Sequence, residues 1–400
     1  MEPLRVVDLF SGCGGFAEGF RTFAGGWQES APAFETVAAA DHDRAALATY
    51  ETNHRPHSAF GCDIAELGAH CLPSGVDVIT GGPPCQGFSG LGAERRDDPR
   101  NALWEEYIRI VAEVQPRVFV MENVDRFVKA VEYKSLLEAV KPGGPIADYE
   151  LTTGVLNAAD FGVPQARRRA IIVGTHRSLG SRLRLPAPTH AKPTPVSYDL
   201  QLFHSPALPV WVPVDVVFDR SAQMEIGAAD LPPRNAGTGG ERPLRTDELH
   251  FGRTPQPVSL ARYKAIPPGG NRMNLRGQWA VIDGERLPLS TPAWDAHSTG
   301  SGDVMGRLRL GHPSVTIRTE FFKPEKGRYL HPFEHRPITH FEAALIQGFP
   351  EDYLWHGSKI EIARQIGNAV PVGLARALGA AIHHHLTAET PLRRSPLKVR

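Results

Sequence analysis

Three stretches of this chain carry residues that could do chemistry. Gly81-Gly82-Pro83-Pro84-Cys85-Gln86-Gly87-Phe88-Ser89 follows an apolar run over residues 76–80. That run reads as a short buried strand, so the glycines and prolines begin a loop at its end. Proline fixes φ and removes amide donors, and glycine permits close backbone approach, which suits a stiff loop fitted against a flat substrate. A cysteine mounted there is a candidate nucleophile, the plainer alternative being a buried thiol in a tight turn. A second strand-like run, 117–121, ends in Glu122-Asn123-Val124. It brings a carboxylate to the same sheet edge, as an acid or base or as a solvated strand-end residue. In the third stretch Gln165, Arg167 and Arg169 lead into a strand-like run at 170–174 and share one face by alternation. Such a triplet suits phosphate contact or a solvated face as readily as catalysis.

The elements before these stretches describe a ligand site. Arg5-Val6-Val7-Asp8-Leu9-Phe10 reads as a first buried strand and runs into Ser11-Gly12-Cys13-Gly14-Gly15-Phe16-Ala17. Gly12, Gly14 and Ala17 fit the glycine fingerprint of a tight strand-to-helix turn approached by a nucleotide. The next strand, 34–40, ends at Asp41-His42-Asp43. Asp41 stands where ribose hydroxyls are bound, and Asp43 where the following helix needs an N-cap. A third short strand ends at Gly61-Cys62-Asp63-Ile64, offering Asp63 to an adenine amino group or merely to a turn. These features describe an adenosine-containing cofactor, either a dinucleotide or S-adenosyl-L-methionine (SAM).

The 400 residues carry 44 Lys and Arg against 44 Asp and Glu, so any polyanion site must come from local clustering. No apolar run has the length of a membrane span and no signal-peptide pattern opens the chain, so a cytoplasmic protein without membrane contact is expected. Cys13, Cys62, Cys71 and Cys85 match neither a zinc site nor a disulfide framework. From Pro186 to about residue 310 the chain is proline-rich with little periodicity, which reads as a linker and a smaller, irregular, mainly β domain. There Arg253, Arg262, Lys264, Arg272 and Arg276 surround Pro267-Pro268-Gly269-Gly270-Asn271, as phosphate and base-edge contacts or as an ordinary soluble loop region. Residues 313–317 read as a strand, Thr339 as the cap of a helix, and Gly367-Asn368-Ala369-Val370-Pro371 as the entry to a last helix. The tail 387–400 is basic and reads as disordered.

Asp8-Leu9-Phe10-Ser11-Gly12-x-Gly14-Gly15, the loop from Gly81 to Ser89, Glu122-Asn123-Val124, Gln165-x-Arg167-x-Arg169 and Gly367-Asn368-Ala369-Val370-Pro371 together resemble, in order and spacing, the cytosine-C5 DNA methyltransferases of bacterial restriction-modification type. The resemblance covers residues 4–175 and about 313–382. It implies an α/β fold: a Rossmann-like SAM-dependent methyltransferase lobe at 1–188 and 358–386, and a small lobe at 189–357 whose variable part, about 186–310, is a target-recognition domain. It further implies that Phe10, Gly12, Gly14, Gly15, Asp41, His42, Asp63, Ile64, Pro84 and Asn368 line a SAM site. Cys85, Glu122, Arg167 and Arg169 would be catalytic, and Gln86, Ser89, Arg253, Arg262, Lys264 and Arg272 would touch DNA. No metal is implied. The expected partner is double-stranded DNA, with a cognate restriction endonuclease as a functional companion and the enzyme a monomer. Two positions depart from the family pattern: His42 stands where many members stack tryptophan on adenine, and Phe341-Glu342 stands where Arg-Glu is usual.

By the same resemblance Cys85 adds to C6 of a flipped cytosine, Glu122 manages the proton at N3, Arg167 helps to hold the thiolate and Arg169 donates to O2, so that C5 can take a methyl group. Three other readings stand beside it: an RNA cytosine methyltransferase, a nicotinamide oxidoreductase built on Gly12-x-Gly14, and a catalytically silent DNA-binding regulator.

Overall fold

The computed structural model describes residues 2–23, 32–84, 103–193, 208–228, 230–234, 241–296 and 303–388. Cys85, Gln86, Ser89 and residues 389–400 of the basic tail lie outside them. Strands β1 (Leu4–Leu9), β2 (Phe34–Ala40), β3 (Ser58–Phe60), β4 (Val78–Gly81) and β5 (Val118–Val124) run parallel. Beside β5 lies antiparallel β7 (Arg168–His176), which pairs on its other edge with β6 (Tyr149–Asn157). The sheet order β3-β2-β1-β4-β5-β7-β6 reverses between β1 and β4. At such a switch point a crevice opens beyond the strands' carboxyl ends, where the glycine turn and the cysteine loop both begin.

Helices α1 (Gly15–Arg21), α2 (Arg44–His54), α3 (Leu103–Val114) and α4 (Val131–Ala139) belong to this lobe. The second lobe carries α5 (Asp215–Ser221), β8 (Leu244–Arg245), α6 (Pro257–Ala265), β9 (Trp279–Ile282), β10 (Glu285–Pro288), α7 (Pro292–Ala296), α8 (His340–Gln347) and β11 (Leu354–Trp355). After α9 (Lys359–Asn368), α10 (Val372–Ala388) returns to the sheet. No described helix is long and apolar enough to cross a membrane.

Both faces of the sheet are covered, so its strands are apolar on both sides. Val7, Leu9, Ile79, Phe119 and Met121 pack with α3 and α4, whereas Leu4, Val6, Val78, Val118 and Val120 pack with α1 and α10. Helix α3 shows why: Trp104, Tyr107, Ile108 and Val111 form one buried stripe at helical spacing, and Arg109 on the opposite side pairs with Glu106 and Glu113.

The small lobe differs from its sequence reading in two ways. Its regular β structure is two antiparallel ribbons, β9 with β10 and β8 with β11, joined by short helices that the weak periodicity hid. Residues 313–317 form no strand: Ser314 makes one bridge to Gln165, and side chains satisfy the rest of the segment. Ile317 N donates to Gln165 Oε1 (2.9 Å), Arg167 Nη1 to Ile317 O (2.8 Å), and the Tyr329 hydroxyl to Thr316 O (3.0 Å).

Phe341 is wholly buried in the small-lobe core, edge-on to His250. Glu342 caps α8 reciprocally with Thr339, and its buried carboxylate receives both Arg336 Nη1 (2.9 Å) and Nη2 (2.8 Å). The guanidinium partner that the usual Arg-Glu pair suggests thus comes from Arg336 instead.

One buried carboxyl lies under the crevice. Asp8 accepts from Thr80 Oγ1 at 2.8 Å, tying β1 to β4. Burial pushes its pKa from 3.8 up to about 7, against the opposing hydrogen bond from Thr80. Between those two pH values the folded chain holds a proton that the unfolded chain has lost, so this group's contribution to stability falls as pH rises from 4 to 7. At 1.36 kcal/mol per pH unit the loss totals about 4 kcal/mol. Asp8→Asn should therefore gain stability over the wild type progressively across that window and hold a constant advantage above it, read from urea midpoints at several pH values.

Candidate active site

The turn after β1 is held in an unusual backbone conformation: Phe10, Gly12 and Gly14 have φ of 51°, 53° and 95°. Glycine is needed at the latter two for left-handed geometry, but their surroundings differ. A Cβ on Gly12 would meet nothing within 4 Å among the described residues, which leaves this side of the turn open to a ligand. A Cβ on Gly14 would lie 2.6 Å from the His54 ring and 3.0 Å from the Tyr353 hydroxyl, and one on Gly15 would lie 2.4 Å from Val370 O. Gly14 and Gly15 thus also permit close protein packing, a requirement their motif did not disclose.

Asp41 fixes this turn to the end of β2. Its Oδ2 accepts from Gly12 N and its Oδ1 from Asp43 N, both at 2.8 Å. His42 stands beside it, 84% exposed, with Nδ1 3.4 Å from Asp41 Oδ1, and hydrogen bonding to Asp41 raises its pKa. Asp43 caps α2 through Ala45 N and Ala46 N, as its position suggested. Asp63 is exposed and accepts from Ala65 N, Ile64 beside it is buried, Pro84 is half-buried, and Asn368 is exposed at the end of α9. An open Gly12 beside exposed polar groups at two strand ends fits a ligand with ribose and a flat ring.

The β5 edge is tied to the root of the cysteine loop. Asn123 Nδ2 donates to Pro83 O at 3.0 Å, and a Cβ on Gly82 would sit 3.4 Å from Glu122 Oε2. Val124 is paired across the ladder with Arg169, so Glu122 and Arg169 fall on one face as diagonal neighbours. Arg169 Nε lies 2.7 Å from Glu122 Oε1, close in distance but off the line of a hydrogen bond, so the contact is an ion pair. Both side chains are largely buried there.

Arg167 points elsewhere. It is buried and gives Nη1 to Ile317 O (2.8 Å) and Gly367 O (3.1 Å), while Gln165 Nε2 reaches Gln347 Oε1 at 2.8 Å. Burial, and then Arg169, pull its pKa well down. Strand β7 begins only at Arg168, so Gln165 and Arg167 precede it: their side chains reach α8 and residues 317 and 367, and Arg169 alone meets Glu122.

The basic residues expected on DNA are similarly divided. Arg253 and Lys264 are exposed, although Arg253 Nη1 donates to Phe322 O. Arg262 lies over the Trp294 ring at 5.0 Å and donates to Leu289 O. Arg272 is buried and its guanidinium donates to Trp294 O, so the fold uses it to fasten α7 and removes it from the face where DNA contact was expected.

The reversed-order sheet, with an open glycine turn at one strand end and a carboxylate–guanidinium pair at another, defines a doubly wound α/β protein with its polar groups gathered at one sheet edge. A family model for C-5 cytosine-specific DNA methylase matches residues 4–207 and 288–384, and the chain belongs to that family. It is 31% identical to the Type II methyltransferase M.AgeI of Thalassovita gelatinovora, over 95% of this chain and 99% of the relative. It is 30% identical to M1.HphI of Haemophilus parahaemolyticus, over 95% and 86%. Its fold matches the crystal structure of a protein described as a DNA modification methyltransferase encoded within an E. coli prophage, with a TM-score of 0.66 at 22% identity over 96% of this chain and 99% of that one. The protein is accordingly an enzyme of the DNA cytosine-methylating family.

Proposed function

We propose that the enzyme methylates C5 of a flipped-out cytosine within a specific duplex DNA sequence, with SAM as cofactor and Cys85 as covalent nucleophile. The observation that carries the reading is the Glu122–Arg169 pair, set against Gly82 at the root of the cysteine loop. The turn at Gly12 with Asp41, His42 and Asp63 holds the cofactor, which supplies the methyl group as an electrophile.

The chain's own residues make C5 reactive. The Cys85 thiolate adds to C6, which pushes electron density toward C5 and the N3–C4 amidine. Glu122 holds a proton at N3 and so limits the charge developed there, while Arg169, fixed by Glu122, donates to O2. After methylation a base removes the C5 proton, the C5–C6 double bond re-forms and Cys85 leaves. Arg167 acts indirectly by holding residues 317 and 367 against the catalytic lobe. A stacked base hides C6, so flipping costs a few kcal/mol that small-lobe contacts with DNA offset.

Resemblance to Type II methyltransferases supports a place in a restriction-modification pair. Incubation with SAM and duplex DNA containing 5-fluorocytosine should give a denaturation-resistant protein–DNA adduct, because fluorine at C5 blocks the last elimination. Failure to trap any adduct on DNA that the enzyme methylates would sink the covalent route, and bisulfite sequencing of DNA from expressing cells identifies the site. Glu122→Gln should slow transfer about 10²- to 10³-fold with little change in DNA affinity, measured by tritiated methyl incorporation.

A further inference from the structure

The glycine turn is held from outside its own lobe. The Tyr353 hydroxyl, on the segment that enters β11, donates to Cys13 O in the middle of the turn, and His54 Nε2 lies 2.9 Å from that hydroxyl's oxygen. A hydroxyl has one proton, and it goes to the carbonyl, so His54 is the donor to Tyr353 and carries its proton on Nε2. Burial, and then Arg21, pull the His54 pKa down to about 3, which keeps the ring neutral in the role this arrangement needs. Gly14 lies directly beneath both side chains.

This contact ends a longer seam. Asn53 Nδ2 donates to Leu354 O (2.7 Å) and Leu354 N to Asn53 Oδ1 (3.0 Å), an amide closing on one residue of β11 from both sides. His356 N donates to Thr49 Oγ1 (2.9 Å), and Thr52 Oγ1 lies 2.8 Å from His356 Nε2. Thr49, Thr52, Asn53 and His54 thus lay α2 along residues 353–356. The turn meanwhile has φ of 51° at a non-glycine residue, Phe10, a conformation that persists only where its surroundings over-determine it.

We propose that Tyr353 and His54 are positioning residues for the cofactor: they hold Cys13 O, and through it the open backbone at Gly12, in the shape that receives SAM. The proposal rests on SAM being the cofactor. Neither side chain touches the ligand; each acts through the turn. Losing the hydroxyl leaves the Cys13 carbonyl and the His54 N–H buried without their partner and frees the turn to relax. The loss falls on cofactor affinity and spares the DNA-reading face, because the ring of Tyr353 and the Asn53 clamp remain.

The test is SAM and S-adenosylhomocysteine binding by titration calorimetry on the full chain, together with steady-state kinetics. If the wild type binds neither compound, the cofactor reading itself has failed. With wild-type binding in hand, Tyr353→Phe should weaken SAM about tenfold, the size expected for one buried hydrogen bond. KM for SAM should rise equally, while kcat at saturating SAM and KM for DNA stay within about twofold. His54→Gln, which keeps a donor, should bind SAM better than His54→Leu. Unchanged SAM affinity in Tyr353→Phe would overturn the proposal, as would equal rises in both KM values or indistinguishable His54 variants, since a role confined to core packing predicts these.

Discussion

Replacing Cys85 with serine should lower methyl transfer by on the order of 10⁴-fold, comparable to the loss of a nucleophile elsewhere, while DNA affinity changes less than about twofold. A thiol supplies a useful fraction of thiolate near neutral pH and is intrinsically a strong nucleophile, whereas a serine hydroxyl needs a base that takes its proton. Glu122 is not arranged as that base: it is engaged with Arg169. The serine variant should also give no adduct on 5-fluorocytosine DNA. Gel-shift affinity and tritiated methyl incorporation on the same preparation separate chemistry from binding. A serine enzyme within tenfold of wild type would eliminate covalent addition as the route.

Arg336→Met should destabilise the protein by about 3–5 kcal/mol, the usual consequence of leaving one member of a buried ion pair alone. Glu342 has no exposed side-chain surface, and its carboxylate also accepts from Ser221 Oγ (2.9 Å) and Thr339 N (2.8 Å). Burial pushes the Glu342 carboxyl up, but Arg336 outweighs it and holds the group below its ordinary value. A folded pKa below the unfolded one gives stability that is present above the unfolded value, near 4.5, and lost as pH falls through the folded one. Without Arg336 burial alone acts on Glu342 and the variant recovers as that carboxyl takes up a proton, so the wild-type advantage over Arg336→Met should be largest near neutral pH and shrink progressively as pH falls toward and below 4.5, measured as the difference in urea midpoints at each pH. A constant difference across that range would remove Glu342 as the reason for the effect.

The parallel strands were legible because burial on both faces writes continuous apolar runs, and the strand-end positions of the glycine turn, Asp41 and Glu122 followed from those runs. The helical content of the small lobe and the true form of residues 313–317 were not legible. Short helices give too few turns for a period, and an apolar stretch such as Pro313-Ser314-Val315-Thr316-Ile317 looks the same whether its amides meet a strand or the side chains of Gln165 and Arg167. The arginine strand shows the same limit. Alternation predicts one face for Gln165, Arg167 and Arg169, but the strand starts at Arg168, and the pattern does not say where pairing begins or what meets each side chain.

Local order along the chain therefore determined the sheet, the strand-end location of the chemistry and, through five ordered motifs, the family. Tertiary structure decided which member of each motif is left open and which packs against protein: Gly12 is open while Gly14 and Gly15 are closely packed, and Arg169 reaches Glu122 while Arg167 binds residues 317 and 367. The reason is physical. Periodicity and turn chemistry act over a few residues, whereas Tyr353 above Gly14, Val370 against Gly15 and Ile317 at Arg167 are brought there by long-range packing of the small lobe and α9.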